Sequence, residues 1–197
     1  MKHIFIKGKK ATTLVLFHGT GGNEKDLLEL AKYIDPNASY LGLLGNVKEG
    51  DMHRFFKRKA MGVLDVENMI EETKKIMIEL EKLSQRYSFN YDKMIAVGYS
   101  NGANMIASLL MEKEDLFKKA ILFNPMYPRA KTNDLTLSQA NVFISYGLND
   151  TMIPKDSTEK LIEFLLENNA NVALYKHYNG HQITREAVDK AKSFYGE

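Results

Sequence analysis

Residues 97–104 read "VGYSNGAN" and place a serine, Ser100, between two glycines, Gly98 and Gly102. An apolar run, "KMIAV", precedes the stretch, and a helical pattern follows it as far as Met111. A serine at such a strand-to-helix turn is held at the edge of a sheet, near the positive N-terminus of the helix. The stretch therefore predicts a nucleophilic serine, with a glycine-rich structural turn as the alternative.

Six short apolar runs indicate buried strands. Several are apolar at successive positions, which is typical of strands covered on both faces in a parallel sheet. They lie at residues 12–17, 39–44, 93–99, 118–123, 141–147 and 171–177, and "KHIFI" at 2–6 is a candidate edge strand. Helical patterns predict helices at 65–87, with Asp65 as N-cap, and at about 101–111, 157–166 and 183–195. This alternation predicts a single α/β domain, residues 1–197, with a mostly parallel sheet.

Composition narrows the classes of function. The 197 residues carry a net charge of +2 and no cysteine, and 44% of them are hydrophobic. The lack of cysteine excludes disulfides, thiolate metal sites and a cysteine nucleophile. The near balance of charge argues against nucleic acid as a partner, and no apolar stretch is long enough to be inserted across a membrane. The N-terminal apolar run lacks a small-residue cleavage site, so a cytoplasmic location is expected.

Two later residues can complete the machinery that a catalytic serine needs. A serine hydroxyl requires a base to take its proton and an acid to orient that base. At this kind of turn the chain order is serine, then Asp or Glu, then His, each after a strand. Asp150 follows the run at 141–147, and His181 follows the run at 171–177. The other candidates fit this order less well: Asp134, Asp156, His3, His53 and His177.

The glycine-rich loop "HGTGGNE" at 18–24 is expected to complete the site. Acyl transfer builds negative charge on the substrate carbonyl oxygen, and two preset backbone N–H groups can stabilise that charge. One is predicted to be the N–H of Asn101, directly after the serine, and the other the N–H of Thr20 in the early loop. His18 is predicted to shape this loop and not to titrate.

Six segments carry a family resemblance and span nearly the whole chain: "LVLFHGTGGNE", "RFFKRKAMGVLD", "MIAVGYSNGANMIASLL", "ILFNPMYP", "GLNDTMIP" and "NGHQIT". Together they resemble the carboxylesterase/phospholipase family of α/β-hydrolases, which includes small bacterial carboxylesterases and acyl-protein thioesterases. The Ser-Asn-Gly-Ala-Asn run with "RFF" looks most like the bacterial branch often associated with quinone-stress responses.

The resemblance implies an α/β-hydrolase fold with a sheet of about seven strands, no cap domain, no metal and no cofactor. The family triad maps onto Ser100, Asp150 and His181, and the oxyanion donors map onto Thr20 and Asn101. Acyl-protein thioesterases usually carry glutamine where this chain has Asn101. That difference leaves the backbone donor unaffected, but it is expected to change the rim of the pocket. The resemblance also allows a homodimer.

The sequence thus predicts a serine carboxylesterase that acts on small to medium acyl esters, because a site without a cap should be open and shallow. The alternatives are an acyl-protein thioesterase or lysophospholipase on the same triad, or a non-catalytic ligand-binding protein of the same fold. Candidate substrate contacts are Phe55, Phe56, Met126, Tyr127, Met152 and Ile153, although such residues at strand ends often belong to the core. Arg54 could bind a substrate carboxylate or form a salt bridge. It lies in segment 45–64, which shows no periodicity and is predicted to be a loop.

Overall fold

The computed structural model describes residues 1–60, 62–129 and 135–196. In chain order the strands are β1 (His3–Ile6), β2 (Thr13–Phe17), β3 (Ser39–Leu43), β4 (Val47–Glu49), β5 (Met52–Arg54), β6 (Arg58–Ala60), β7 (Val63–Leu64), β8 (Met94–Tyr99), β9 (Lys119–Phe123), β10 (Asn141–Gly147) and β11 (Asn171–His177). Within the described residues, seven strands form one sheet in the order β1-β3-β2-β8-β9-β10-β11. Strand β1 runs antiparallel to β3, and the other neighbours are parallel. The predicted mostly parallel sheet of about seven strands is confirmed.

The helices are α1 (Leu28–Ile34), α2 (Val66–Tyr87), α3 (Asn101–Glu112), α4 (Lys155–Glu167) and α5 (Arg185–Gly196), with a short 3₁₀ turn at Tyr91–Lys93. The four predicted helices are present, and Asp65 caps α2 by accepting a hydrogen bond from the N–H of Asn68. Helix α1 was not predicted, because its seven residues are too few to show a clear period. Asp156, one of the weaker acid candidates, lies in the first turn of α4, where Pro154 holds the cap position without a side-chain hydrogen bond.

Two apolar cores cover the two faces of the sheet. One contains the buried sides of α2, α3 and α4, and the other contains those of α1 and α5. Strand β2 supplies both cores: Val15 and Phe17 pack on the first, and Leu14 and Leu16 pack on the second. Because successive side chains of a strand point to opposite faces, this double burial explains why the run is apolar at every position.

Segment 45–64 differs from its prediction as an irregular loop. It forms two small antiparallel hairpins, one from β4 and β5 and the other from β6 and β7. Strands of two or three residues are too short to give an alternating pattern, so the sequence does not predict them. Between the hairpins, Phe55 and Phe56 enter the first core and tie the segment to the body of the protein.

A buried carboxylate, Asp35, links the end of α1 to distant parts of the chain. Its Oδ2 accepts hydrogen bonds from Lys10 Nζ at 2.7 Å and from the Tyr195 hydroxyl at 2.5 Å. Its Oδ1 accepts the N–H of Asn37 at 2.9 Å. Burial alone would raise the pKa of Asp35, but these three donors outweigh it and hold the pKa below its ordinary value. The ionised carboxylate therefore stabilises the folded state.

We expect Asp35→Asn to lower the free energy of unfolding by about 1–3 kcal/mol at pH 7, because two donors lose a charged acceptor inside the protein. The folded pKa lies below the unfolded pKa, so this stabilisation is present above about pH 4 and is lost as the pH falls through the folded pKa. Urea unfolding between pH 3 and pH 7 measures both effects. The exposed Asp51→Asn is the matched control. Equal stabilities of Asp35→Asn and wild type at pH 7 would contradict this interpretation.

Candidate active site

Ser100 lies at the tight turn between β8 and α3, with φ 50° and ψ −115°. A non-glycine residue in this region costs about 1–3 kcal/mol and needs support from its surroundings. The Ser100 N–H donates to the Phe123 carbonyl at 2.9 Å, and the Ser100 carbonyl accepts the Asn104 N–H at 2.9 Å. The turn is thus held by the neighbouring strand on one side and by the first hydrogen bond of α3 on the other.

His181 connects the serine to a carboxylate. Its Nε2 lies 2.8 Å from Ser100 Oγ, and its Nδ1 lies 2.6 Å from Asp150 Oδ2. The second oxygen of Asp150 accepts the N–H groups of Met152 at 2.8 Å and Ile153 at 3.1 Å. Because a carboxylate can only accept, the imidazole proton belongs on Nδ1, and this leaves the Nε2 lone pair facing the serine hydroxyl. The His181 and Asp150 side chains are only 11% and 4% exposed, which strengthens these contacts.

The loop that carries His181 is fixed from three strand ends. The Tyr99 hydroxyl donates to the His181 carbonyl at 2.7 Å, and the Tyr99 ring packs on the imidazole. Asn124 Nδ2 donates to the Gln182 carbonyl at 3.2 Å, and Asn149 Oδ1 accepts the N–H of Gly180 at 2.8 Å. Tyr99 is the last residue of β8, Asn124 directly follows β9, and Asn149 lies just after β10. The sheet itself therefore sets the position of the imidazole.

Thr20 and Asn101, whose backbone N–H groups are the predicted donors, line the same cavity as Ser100. Within residues 1–60, 62–129 and 135–196, neither N–H donates a hydrogen bond to another protein group. Two unused donors beside a nucleophile candidate are what an oxyanion hole requires. The Asn101 side chain, expected at the pocket rim, is instead buried, and its Oδ1 accepts the N–H of Phe55 at 2.7 Å.

A small, open cavity of about 60 Å³ lies beside Ser100. Three of the predicted contacts line it: Met126, Met152 and Ile153. Residues not predicted also line it: Arg58, Gly62, Leu64 and Asn104. Only their position in the sequence could have suggested a place at the cavity. Three of them lie in segment 45–64, the predicted loop, and Asn104 lies one helical turn after the serine.

Phe55, Phe56 and Tyr127 do not line this cavity, which corrects their prediction as substrate contacts. Phe55 and Phe56 are 1% and 0% exposed, and the Phe55 ring packs on Phe17 and His18 with centroids 5.2 and 4.8 Å apart. Tyr127 packs edge-on against Phe164 at 5.9 Å. Phe55 and Phe56 are thus core residues, and the partly buried Tyr127 packs against the same core, where apolar surface gains from leaving water.

Two arginines and one carboxylate stand at one side of the cavity. The Arg58 guanidinium binds Glu49 through Nε and Nη2, with the shortest contact 2.6 Å, and Arg54 Nε lies 3.6 Å from the same carboxylate. Arg54 is buried, and Nη1 donates to Thr20 Oγ1 at 2.7 Å while Nε donates to the Phe56 carbonyl at 3.2 Å. Burial first, and then the nearby Arg58 charge, lower the pKa of Arg54, while Glu49 opposes them. Of the two roles considered for Arg54, the salt bridge is therefore present, with Glu49 as its partner.

His18 is buried beneath the glycine-rich loop. Its Nε2 accepts the N–H of Gly45 at 3.0 Å, which requires an unprotonated nitrogen, and its Nδ1 lies 2.5 Å from the Gly19 carbonyl. Burial lowers the pKa of His18, so the imidazole is neutral and organises the loop by hydrogen bonding.

The three other histidine candidates have their surroundings elsewhere in the fold. His3 contacts Tyr87, His53 contacts the Gly45 carbonyl, and His177 is buried at the end of β11. Asp134 lies outside the described residues. Among the residues that the structure describes, no group of three or more His, Asp and Glu side chains could hold a metal ion. In the same part of the chain, no helix is both long enough and apolar enough to cross a bilayer.

A family model described as the dienelactone hydrolase family matches residues 4–195. The chain belongs to the dienelactone hydrolase family. It is 41% identical over 197 residues to MhqD of Bacillus subtilis (strain 168), which is named as a hydrolase, and the match covers 100% of this chain and 98% of MhqD. As a member of this hydrolase family, the chain is an enzyme.

Solved structures confirm the α/β-hydrolase fold expected from the resemblance to carboxylesterases. The carboxylesterase of Bacillus cereus superposes with a TM-score of 0.97 at 44% identity, covering 100% of this chain and 93% of that one. YahD, solved with malic acid, superposes with a TM-score of 0.93 at 32% identity, covering 98% and 97% of the two chains.

Gly102 is the position where the turn tolerates no side chain. A Cβ there would overlap the carbonyl oxygen of Phe17 and lie 2.6 Å from that of His18. We expect Gly102→Ala to lower the free energy of unfolding by about 1–3 kcal/mol, because overpacking outweighs the better helix propensity of alanine. For a chain of this length, Tm should fall by about 2–12 °C in a thermal scan. Gly196→Ala, which meets open space at the end of α5, is the control and should match wild type. A Gly102→Ala protein as stable as wild type would show that α3 has room to move.

Proposed function

We propose that the chain is a serine carboxylesterase that hydrolyses small to medium acyl esters through an acyl-enzyme intermediate on Ser100. The observation that carries this proposal is the continuous contact from Asp150 through His181 to Ser100, at 2.6 and 2.8 Å, beside an open cavity. The carboxylesterase of Bacillus cereus, 44% identical to this chain, supports the choice of an ester as substrate.

Acylation would proceed as follows. Ser100 Oγ attacks the ester carbonyl carbon while His181 Nε2 takes the hydroxyl proton. The carbonyl π electrons move onto the oxygen, which is stabilised by the N–H groups of Thr20 and Asn101. When the tetrahedral intermediate collapses, the C–O bond to the alcohol breaks and His181 gives its proton to the leaving oxygen. Asp150 holds the tautomer of His181 and stabilises the imidazolium.

Deacylation would repeat these steps with water as the nucleophile. His181 Nε2 takes a proton from a water that attacks the acyl carbon, and the same two N–H groups bind the second oxyanion. The bond to Ser100 Oγ then breaks, and the imidazolium returns its proton to the serine. The products are one carboxylic acid and one alcohol for each ester and water consumed. No step uses a metal or a cofactor.

Ser100→Ala should abolish turnover. Loss of the nucleophile in such a machinery costs at least about 10⁴-fold in kcat. The measurement is hydrolysis of p-nitrophenyl acetate and butyrate, together with covalent labelling by a fluorophosphonate, which should occur in wild type and be lost in Ser100→Ala. Ser193→Ala, an exposed serine on α5, is the control. Undiminished turnover in Ser100→Ala would reject the assignment. A wild-type protein that is neither labelled nor active would instead support the non-catalytic ligand-binding alternative.

The arginines indicate which esters the site prefers. Arg54 and Arg58 both line the cavity beside Ser100, and positive charge at this side would favour an anionic group of the substrate. YahD, 32% identical to this chain, was solved with malic acid, a dicarboxylic acid, which supports an acidic ligand here. The proposed substrates are therefore short esters that carry a free carboxylate. Thioesters and lysophospholipids are the alternative substrates on the same triad.

A half-ester should be a better substrate than its diester. We expect ethyl hydrogen succinate to exceed diethyl succinate in kcat/KM, and Arg58→Gln to reduce that preference by about tenfold, equivalent to ~1.4 kcal/mol. Added salt should weaken the preference in wild type, because it screens the exposed part of the attraction. Lys57→Gln removes a neighbouring exposed cation and is the control. An unchanged preference in Arg58→Gln would show that Arg58 does not recognise the substrate carboxylate.

The cytoplasmic location and the homodimer remain predictions from the sequence.

A further inference from the structure

Three consecutive residues, His53, Arg54 and Phe55, contact both loops that carry the proposed oxyanion donors. Arg54 Nη1 donates to Thr20 Oγ1 at 2.7 Å, and the Phe55 N–H donates to Asn101 Oδ1 at 2.7 Å. The His53 carbonyl accepts the N–H of Gly21 at 2.9 Å. We propose that residues 53–55, here termed the oxyanion brace, hold the Thr20 N–H in register with the Asn101 N–H, and that Arg54 is a positioning residue for catalysis. This inference rests on the proposed function.

The two donors differ in how well their own surroundings fix them. Asn101 begins α3, a helix buried from Asn101 to Met111, so its N–H direction is set by the helix. Thr20 is exposed and lies between Gly19 and Gly21, with Gly21 at φ 79°. Glycine-rich backbone has many accessible conformations, so the Thr20 N–H needs an outside contact to stay aimed at the substrate. The bond from Arg54 is the side-chain contact that Thr20 makes.

The brace is itself anchored in the core. The Phe55 ring packs on Phe17 and His18, the residues that lead into the Thr20 loop. His53 Nδ1 lies 3.0 Å from the Gly45 carbonyl, and the Gly45 N–H donates to His18 Nε2 at 3.0 Å. Residues 53–55 therefore cannot move without disturbing buried hydrogen bonds and a fully buried ring. A rigid support of this kind can set the position of the glycine-rich loop.

Asn101 connects the brace to the nucleophile turn. Its Oδ1 accepts from Phe55, whereas its Nδ2 is buried and has no hydrogen-bond partner among the described residues. Leaving a buried amide donor unpaired is unfavourable, so the acceptor contact must compensate for it. The side chain of Asn101 thereby places the brace at a set distance from the residue whose own N–H is the other donor. The same rigid segment, residues 53–55, thus positions both N–H donors.

The decisive variant is Thr20→Val, which keeps the backbone N–H and the branched shape but removes the acceptor for Arg54. We expect kcat for p-nitrophenyl butyrate to fall by about 10–100-fold, less than the complete loss of a donor, with KM changed by less than about threefold. Thr20→Ser keeps the acceptor and should restore most of the lost kcat. Hydrogen exchange of the peptide backbone at 18–24 should become faster in Thr20→Val than in wild type. Lys57→Met, next to the brace but exposed, is the control for loss of a nearby side chain.

A double-mutant cycle separates the brace from independent effects of Arg54. Arg54→Met should lower kcat in the same range, and Thr20→Val/Arg54→Met should lower it no further than the more damaging single variant, because both remove one contact. Multiplicative losses in the double variant would overturn the inference, as would a wild-type kcat in Thr20→Val. If kcat is retained in Thr20→Val while Ser100→Ala is inactive, the brace is wrong and the esterase proposal stands. If Ser100→Ala is active, both are wrong.

Discussion

The site depends on the backbone conformation of Ser100, which lies at φ 50° and ψ −115° where a side chain is normally disfavoured. Such strain costs about 1–3 kcal/mol and persists only where the surroundings leave no alternative. Here α3 is buried along eleven consecutive residues in the centre of the first core, and Gly102 lets its first turn lie directly against the backbone of Phe17. Burial of this helix offsets the strain and holds the serine side chain at the edge of the sheet.

A parallel sheet brings the remaining groups to the same edge, since its strands all end on one side. Asp150 follows β10, His181 follows β11, and Thr20 follows β2, while Tyr99 and Asn124 at the ends of β8 and β9 fix the loop of His181. Ser100 and His181, which are 81 positions apart, therefore meet within hydrogen-bond distance. The hairpins of segment 45–64 supply part of the cavity wall, including both arginines. This part of the wall and the Ser100, His181 and Asp150 side chains thus come from different parts of the fold.

Much of this arrangement could be predicted from the sequence. The runs at 141–147 and 171–177 coincide with β10 and β11, because strands covered on both faces must be apolar throughout. The pairing of Ser100 with Asp150 and His181 followed from residue type and chain order at predicted strand ends. The residues that line the cavity were harder to predict. Phe55 and Phe56 lie in segment 45–64 and are apolar, yet they are buried in the core. Arg54 and Arg58, close to them in the sequence, line the cavity instead.

By itself, then, the sequence determined the sheet, the helices longer than a few turns and the three residues at the centre of the site. These are local features, recorded in periodicity and in the order of residues along the chain. The tertiary structure alone decided the two short hairpins, the inward burial of Phe55 and Phe56, and the shared carboxylate of the two arginines. It also decided that the Asn101 side chain faces Phe55 and not the pocket rim. The hairpin and arginine contacts are local but too short to give a periodic pattern, and the contact between Asn101 and Phe55 joins positions 46 apart. Neither kind of contact leaves a pattern in a single segment.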